Sequence, residues 1–443
     1  MPVNSLHPEY AAYQSKWTRC RDTFEGSDAV KERGVSYLPA LTEQTAAEYD
    51  AYKTRAVFYS ITSKTLESLV GIALQKEPVL VFPDRLQPYF KDNGGVEFFE
   101  LLSKSFSEVM LMGRFGVLID RAEGEGGLAV PVPYVCESIL NWEIDSTGRF
   151  TFVVLHESIL ETTATDRFVK TYKNQYRVLE LVDGFYQQTV YDDKLAITKT
   201  FNPTNSGVKM GFIPFYICTP AGINSAMAKP PLLDIADINL SHYRSSADLE
   251  HGRHFTGLPT PVAIGVDASS TLKVGSMTAW IIPNASGDAK YLEFTGEGLK
   301  SLEKALSEKQ SQLASLSARL IDSSTRGSES PDTIKMRYAS ENANLVAISR
   351  AVEAFLNTVY NTIVFMESIT GKVEIVLNKD FLDKTLTSKE VKEFIESYFE
   401  GGISKETLIF NLRKGGVLSP NRSDEDEMAS IKSNINQGAG NEA

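Results

Sequence analysis

Leucines recur at alternating spacings of three and four residues in the second half of the chain, and this pattern constrains the fold more than any other. The face consists of Leu299, Leu302, Leu306, Leu313, Leu316 and Leu320, with Lys309 in the remaining slot. Such spacing is typical of a helix that packs lengthwise against a partner. At a rise of roughly 1.5 Å per residue, the face is about 33 Å long. We therefore predict a helix over 297–321 whose leucines, from Leu302 onwards, pack against another element.

A second amphipathic pattern, over 231–250, precedes this helix, and Gly257 and Pro259 follow it as helix-ending residues. Strand-like runs lie between the two helices at 262–266, 278–282 and 290–294. Two long helices therefore flank a short β-rich excursion. The leucine face has two alternatives for its partner: the first helix of the same chain, or a helix of a neighbouring subunit. Spacing alone does not distinguish them.

The remaining patterns predict clustered strands and separate helices. Helices are predicted over 42–75, 96–112, 345–366, 388–399 and 404–414, with Gly113 as a left-handed residue after the second and Ser388 and Ser404 as N-caps of the last two. The apolar face predicted for the third helix consists of Leu345, Ile348, Val352, Phe355, Val359, Ile363 and Met366. Strands are predicted over 115–120, 150–155, 175–182, 185–191, 196–201, 212–218 and 373–377. Because most of these strands follow one another without intervening helices, the predicted fold class is α+β.

Composition limits the classes of function and location. The three cysteines, Cys20, Cys136 and Cys218, are far apart and form no CxxC pair, so they support neither a disulfide framework nor a thiolate zinc site. No apolar run approaches the roughly 20 residues of a membrane span, and the first residues lack a signal-peptide pattern. We therefore expect a cytosolic product without a membrane partner. The net charge of −12 fits either general solubility or a surface that DNA slides past without being gripped.

His251 and His254 are the one close histidine pair, and their spacing of three could present two imidazoles to a metal ion. However, the helix that carries them ends just beyond, and no HExxH or cysteine pattern supports a site. The chain also lacks a GxxxxGK[ST] nucleotide loop. We expect no catalytic site, no metal and no cofactor; a metal-dependent hydrolase that uses this pair is kept as an alternative.

Six segments, spread over nearly the whole chain, carry a common pattern. The first two are His7-Pro8-Glu9-Tyr10 with Trp17 and Arg21-Asp22, and then Gly34 with Tyr37-Leu38-Pro39. The next two are 111–120, and Tyr134 followed by 138–142. The last two are 242–248 with Gly257 and Pro259, and 401–404. In this order they resemble the portal proteins of tailed bacteriophages, which are the subunits of the head-to-tail connector ring.

The resemblance implies an elongated subunit with a wing, a helical stem, a β-rich clip and a helical crown, which assembles into a ring. The implied parts are an N-terminal arm (1–41), an α+β wing (42–227), a first stem helix (228–256), the clip (257–296), a second stem helix (297–321), a tunnel loop (322–335), a long linking helix (336–370), the crown (371–422) and a mobile C-terminal tail (423–443).

The function that the resemblance implies is that of a conduit. A ring of about twelve subunits would occupy one vertex of the capsid, as a closed cyclic assembly. It would be the channel for packaging and ejection of double-stranded DNA. Its partners would be the terminase large subunit, the head-completion or adaptor protein, and the major capsid and scaffolding proteins. The expected location is the virion, and the host cytoplasm during assembly. A non-portal head–tail adaptor is an alternative, although such proteins are usually smaller.

The resemblance also suggests residues for the channel and for docking. By order in the chain, Arg326 lies in the tunnel loop, with Lys335 and Arg337 just after it. Repeated around a ring, these cations would form circles of positive charge that could contact phosphates; the alternative is a solvated loop in which Arg326 pairs with Glu329. Trp280, in the implied clip, is a candidate for subunit contacts or docking. Burial within the clip itself is the alternative for this tryptophan.

Overall fold

The computed structural model describes residues 2–91, 98–121, 129–163, 166–205, 207–256, 260–264, 286–292, 297–321, 343–379, 381, 388–414 and 417–418. These residues form two units, one within 1–379 and one within 380–443. Helices and antiparallel sheets occur together in the first unit, so the fold is α+β.

The N-terminal region of the first unit is helical. Its helices are α1 (Pro8–Glu25), α2 (Ser27–Glu32), α3 (Ala46–Arg55) and α4 (Ile61–Ala73). Helix α1 begins at Pro8, and a proline there breaks no intrahelical hydrogen bond, because first-turn N–H groups have no partner within the helix. The His7 ring Nδ1 accepts a hydrogen bond from the Glu9 N–H at 3.2 Å. Sequence periodicity alone gives no sign of α1.

The single helix predicted over 42–75 is wrong, because the chain leaves helical geometry between Arg55 and Ile61. The cause is a distant side chain. The Asn239 amide oxygen accepts hydrogen bonds from the N–H groups of Ile61 and Thr62, both at 3.2 Å. Its amide nitrogen donates to the Tyr59 carbonyl at 2.8 Å. A buried amide thereby satisfies the backbone groups that the break exposes.

A four-stranded sheet lies at the centre of the first unit. It has the order β12 (Gly222–Ile223), β11 (Phe215–Thr219), β2 (Phe115–Arg121) and β3 (Ala129–Val135). Helix α6 (Phe98–Met112) leads into β2 through Gly113, whose φ is +73°. The left-handed residue predicted at this helix end is therefore present. A Cβ on Gly113 would lie 3.0 Å from the Ala228 carbonyl oxygen, so the chain passes too closely for another residue.

A five-stranded antiparallel sheet follows in simple meander order. Its strands are β4 (Ile139–Ile144), β5 (Phe150–Thr163), β6 (Asp166–Val182), β7 (Phe185–Tyr191) and β8 (Ile197–Phe201). Asp183 and Gly184 both have positive φ, as a two-residue hairpin turn between β6 and β7 requires. Strands β5 and β6 extend well beyond the predicted 150–155 and 175–182, because they continue to pair with each other past the ends of their neighbours.

The long helix α9 (Ala343–Met366) packs on the four-stranded sheet and on α6. Its predicted apolar face is confirmed, since every member is buried: Leu345, Ile348, Val352, Phe355, Val359, Ile363 and Met366. On its flank, Asn357 and Asn361 each exchange two hydrogen bonds with the backbone of Ile375 and Val373. Two amides one turn apart thus hold the strand β15 (Glu374–Val376), which pairs with β1 (Val79–Val81).

Smaller elements complete the first unit: α5 (Gln87–Lys91) and the pair of β9 (Thr204–Asn205) with β10 (Val208–Lys209). The second unit contains α10 (Ser388–Phe399) and α11 (Lys405–Lys414), which pack against each other. The N-cap predicted at Ser404 is confirmed, because its hydroxyl accepts a hydrogen bond from the Thr407 N–H at 3.2 Å. Ser388, the other predicted N-cap, is instead the first residue of α10 itself.

Candidate functional site

The candidate site is a helix–hairpin unit made of α7 (Leu233–Thr256), β13 (Thr260–Ile264), β14 (Asp288–Leu292) and α8 (Glu297–Ile321). The strands pair antiparallel, from Thr260 opposite Leu292 to Ile264 opposite Asp288. The helices also run antiparallel, since Gly252 near the end of α7 faces Leu299 near the start of α8. At roughly 1.5 Å per residue, each helix is about 36 Å long.

The leucine face of α8 lies against α7 and α4 of the same chain. Of the members whose side chains the structure describes, only Leu313 is fully buried, with 1% of its surface exposed. Leu302, Leu306 and Leu316 are half-buried, and Leu320 lies in the last turn of the helix. The two helices touch closely at Gly252, where a Cβ would lie 2.5 Å from the Leu299 Cδ2 atom. The intramolecular alternative for the leucine face therefore describes this chain, and part of that face stays accessible.

Lys309 takes the one non-leucine position of the leucine face, and its side chain reaches α7. Its ammonium donates hydrogen bonds to the Ser241 carbonyl, at 3.1 Å, and to the Ser245 hydroxyl. Burial, and then the charge of Arg244, lower the pKa of Lys309 below its usual range. A polar group at such a position fixes the register of two helices, because sliding would leave the charge without partners.

Helix α7 is held in the body of the unit by hydrogen bonds and an ion pair with four other parts of the chain. Besides the Asn239 cap on α4, the Tyr52 hydroxyl of α3 donates to the Asp248 carboxylate at 2.6 Å. The Arg244 Nε donates to the Tyr37 carbonyl at 2.9 Å, and Arg19 of α1 pairs with Asp237 at 2.6 Å. Burial, followed by the hydrogen bond to Asp248, raises the pKa of Tyr52 above its usual range. The helix is a fixed platform on which α8 lies.

Several residues that carry the family resemblance contact one another around this platform. The ring of Trp142 has His7 stacked at 4.0 Å and the Arg114 guanidinium at 3.9 Å, which joins three of the six segments. The Trp17 indole N–H donates to the Met112 carbonyl at 3.0 Å. The Tyr37 hydroxyl donates to Asp22 at 2.6 Å. These polar and aromatic residues thus join four of the six segments within the first unit.

Two arginine–carboxylate clusters, which sequence reasoning missed, reinforce the body. Arg21 binds Glu108 through two hydrogen bonds of 2.9 and 2.8 Å and also binds Glu137. Burial alone would raise the pKa of Glu137, but the hydrogen bonds and charge of Arg21 outweigh it and the pKa is lowered. The partners lie 87 and 116 positions from Arg21 in sequence, and no local pattern signals such pairs.

The second cluster joins the two sheets. Arg177 of β6 binds Glu157 of β5 and Asp120 of β2, both at 2.8 Å. Burial opposes ionisation of Glu157, yet the charge of Arg177 and the hydrogen bond from Tyr134 lower the pKa of this carboxyl. The carboxylates of both clusters are engaged by arginine, which makes them structural pairs of the kind that fixes one arrangement of elements.

Several predicted functional residues lie outside the described residues. They are Trp280, Arg326, Lys335 and Arg337, together with Glu329, the predicted strand 278–282 and the tail 423–443. His251 and His254 lie in the last two turns of α7, where His251 makes an edge contact of 5.2 Å with the Tyr52 ring. Burial lowers the pKa of His251. Within the described part of the chain, no three His, Cys, Asp or Glu side chains are grouped to hold a metal ion.

Among the helices of the described ranges, none is both long and apolar enough to cross a bilayer.

Comparison with known proteins places the helix–hairpin unit inside one family match. A family model described as a domain of unknown function (DUF4055) matches residues 231–364, from just before α7 to the last turn of α9. This domain is found in phage-related proteins. The match covers less than a third of the 443 residues. No curated protein matches the chain. The chain therefore shares with this family the segment that contains the α7–α8 pair.

Proposed function

We propose that this chain is the subunit of a phage portal, a ring at one capsid vertex through which double-stranded DNA is packaged and ejected. In this proposal α7 and α8 are the stem, β13 and β14 belong to the clip, and α10 and α11 belong to the crown. The subunit would have no catalytic activity of its own. The terminase large subunit would supply the energy, and head-completion or tail proteins would dock afterwards. The protein would assemble in the host cytoplasm and remain in the virion.

The observation that carries the proposal is the helix–hairpin unit. Two antiparallel helices of 24 and 25 residues are connected through a pair of antiparallel strands. The DUF4055 match contains this unit, and the domain occurs in phage-related proteins. The order of the six resembling segments, and the contacts that join four of them, support the same proposal.

The surface charges of α8 are compatible with the wall of a channel that does not bind DNA tightly. Its exposed residues include Lys304 and Glu308, which pair at 3.9 Å, and Glu303, which pairs with Arg253 of α7 at 3.0 Å. Paired surface charges of this kind leave little net field to hold a phosphate backbone in place. With a net charge of −12 per chain, a ring of such subunits would favour sliding of DNA.

The experiment that tests the proposal is a native mass measurement of the full chain, with electron micrographs of the same sample. We expect closed rings of about twelve subunits with an axial hole. A chain that stays monomeric up to its solubility limit would contradict the proposal. The half-buried leucines of α8 would then be ordinary surface residues without an intersubunit role.

A further inference from the structure

The outer half of the β5–β6 hairpin projects from its sheet as a two-stranded ribbon. Strand β4 pairs with β5 only as far as Leu155, and β7 pairs with β6 only from Tyr176 onwards. Residues 157–163 and 166–175, termed the ribbon, pair with each other and have no further strand neighbour among the described residues. At about 3.3 Å per residue, the ribbon extends about 20 Å past the sheet.

The ribbon presents apolar side chains to solvent on both faces. Leu160 and Tyr172 lie directly opposite each other and are 47% and 74% exposed. Ile159, on the other face, is 40% exposed. An isolated pair of strands is only marginally stable in water, and a contiguous exposed apolar surface marks an interaction site. The ribbon therefore has the composition of a surface that another molecule covers.

The base of the ribbon is rigid. Glu157 accepts hydrogen bonds from Tyr134 of β3, from Gln175 across the ribbon and from Arg177, which in turn binds Asp120 of the other sheet. The ribbon leaves the sheet from this buried network and not from a loop. Its direction is thus fixed before any partner binds, which reduces the entropy lost on association.

Charge indicates the kind of partner. Residues 157–175 contain three acidic and three basic residues, so the ribbon region is neutral while the whole chain carries −12. Glu161 and Lys173 neutralise each other at 2.6 Å. Two copies of an acidic chain repel each other over most of their surfaces, and a neutral apolar projection is where they can touch at least cost. A second copy also offers a strand edge that could receive the ribbon, since among the described residues β8 pairs only with β7, and its Ile197 is 62% exposed.

We propose that the ribbon is an intersubunit arm that docks on a neighbouring copy of this chain. This inference rests on the proposed ring and names one of its contacts. The contact is heterologous, because the ribbon of one subunit meets a different surface of the next, and repetition of such contacts by a constant rotation closes a ring. A ribbon strand would form backbone hydrogen bonds with a strand edge of the neighbouring copy, and Leu160 and Tyr172 would add apolar contacts.

The test uses the full chain with Leu160→Lys and Tyr172→Lys together. Both side chains are exposed, so the fold is expected to persist, as circular dichroism and thermal unfolding would verify. The matched control is Val35→Lys with Val208→Lys, at residues that are 61% and 69% exposed in other places. We expect the control to form rings at wild-type protein concentration. The ribbon variant should need at least a tenfold higher concentration, or remain monomeric.

A second variant keeps the test decisive. A photo-crosslinking phenylalanine at position 172 should join two copies of the chain, and mass spectrometry of the product should identify a peptide of the neighbouring copy. Rings of the ribbon variant that match the wild type, or products confined to one chain, would overturn the arm while leaving the portal proposal intact. A wild-type chain that forms no ring would overturn both.

Discussion

Helices α8 and α9 carry apolar faces of similar regularity, yet the chain covers them to different degrees. All seven predicted face residues of α9 are buried, between the four-stranded sheet and α6. On α8, Leu313 is buried while Leu302, Leu306 and Leu316 are half-buried. Periodicity therefore predicts which side of a helix packs, but not how completely that side is covered. The difference locates the part of the molecule where the chain leaves an apolar helix face partly exposed.

The largest effect is expected at the centre of the α9 face. Phe355→Ala should lower the free energy of unfolding by about 3–5 kcal/mol, because Phe355 is fully buried and the sheet above it cannot collapse into the space. Urea unfolding followed by tryptophan fluorescence measures the change, since Trp17 and Trp142 are buried in the same unit. Replacement of the exposed Phe365 on the same helix by Ala is the control and should cost much less.

Leu313 and Leu316 test the comparison within α8. Leu313→Ala should cost about 2–4 kcal/mol, and Leu316→Ala about 1 kcal/mol in the monomer, because only the first side chain is fully buried. The same unfolding assay gives both values, and native mass measurement then compares the variants for assembly. Equal losses for the two leucines would mean that α8 is as fully covered as α9.

His242 should make the α7–α8 contact sensitive to acid, with an effect smaller than the leucine truncations. Burial, and then the charge of Lys309, lower the pKa of His242 from the ordinary 6.5. In the window between the lowered value and 6.5, the unfolded chain binds a proton that the folded chain does not, so stability falls as the pH drops through this window. His242→Gln should lose less stability than the wild type between about pH 7 and pH 5.

Unfolding midpoints in urea at several pH values provide the comparison, and parallel curves for wild type and His242→Gln would remove His242 from the acid response.

The smallest effect is expected for Gly252→Ala, because two contributions oppose each other. Alanine favours a helix interior by about 0.5–1 kcal/mol, while its Cβ would meet the Leu299 side chain. We expect a net change within about 1 kcal/mol. In a Leu299→Ala background the clash is gone, so the same substitution should become stabilising; a double-mutant cycle of unfolding free energies measures this. Additive changes would show that the helices do not touch at this point.

A feature can be predicted from sequence when the residues that determine it are close together along the chain. The apolar face of α9 and the Gly113 helix end are predictable because neighbouring residues determine them. The break between α3 and α4 is not, because it depends on Asn239, which is 178 positions from Ile61. The outer parts of β5 and β6 escape prediction for a related reason. Their strand geometry comes from pairing with each other, and their exposed faces give no clear alternation of buried and exposed residues.

In the candidate site, too, the locally determined features are predictable and the long-range contacts are not. The two helices and the leucine face follow from local pattern. The strands predicted over 262–266 and 290–294 begin two residues earlier, at Thr260 and Asp288. The role of Lys309 is not evident from sequence, because its partners Ser241 and Ser245 are brought to it only by the fold. The clusters around Arg21 and Arg177 likewise join residues that are far apart in sequence, so neither spacing nor composition identifies them.

The Asn239 amide gives α7 a mechanical property. Because this one side chain holds both the end of the α3–α4 connection and the start of α4, α7 cannot rotate about its own axis without uncapping α4. Adjacent residues on a helix differ by about 100° in direction, so even a fraction of that turn would break all three hydrogen bonds. Torque applied at the far end of the helix pair would thus be transmitted through Asn239 to α4 and the connection before it.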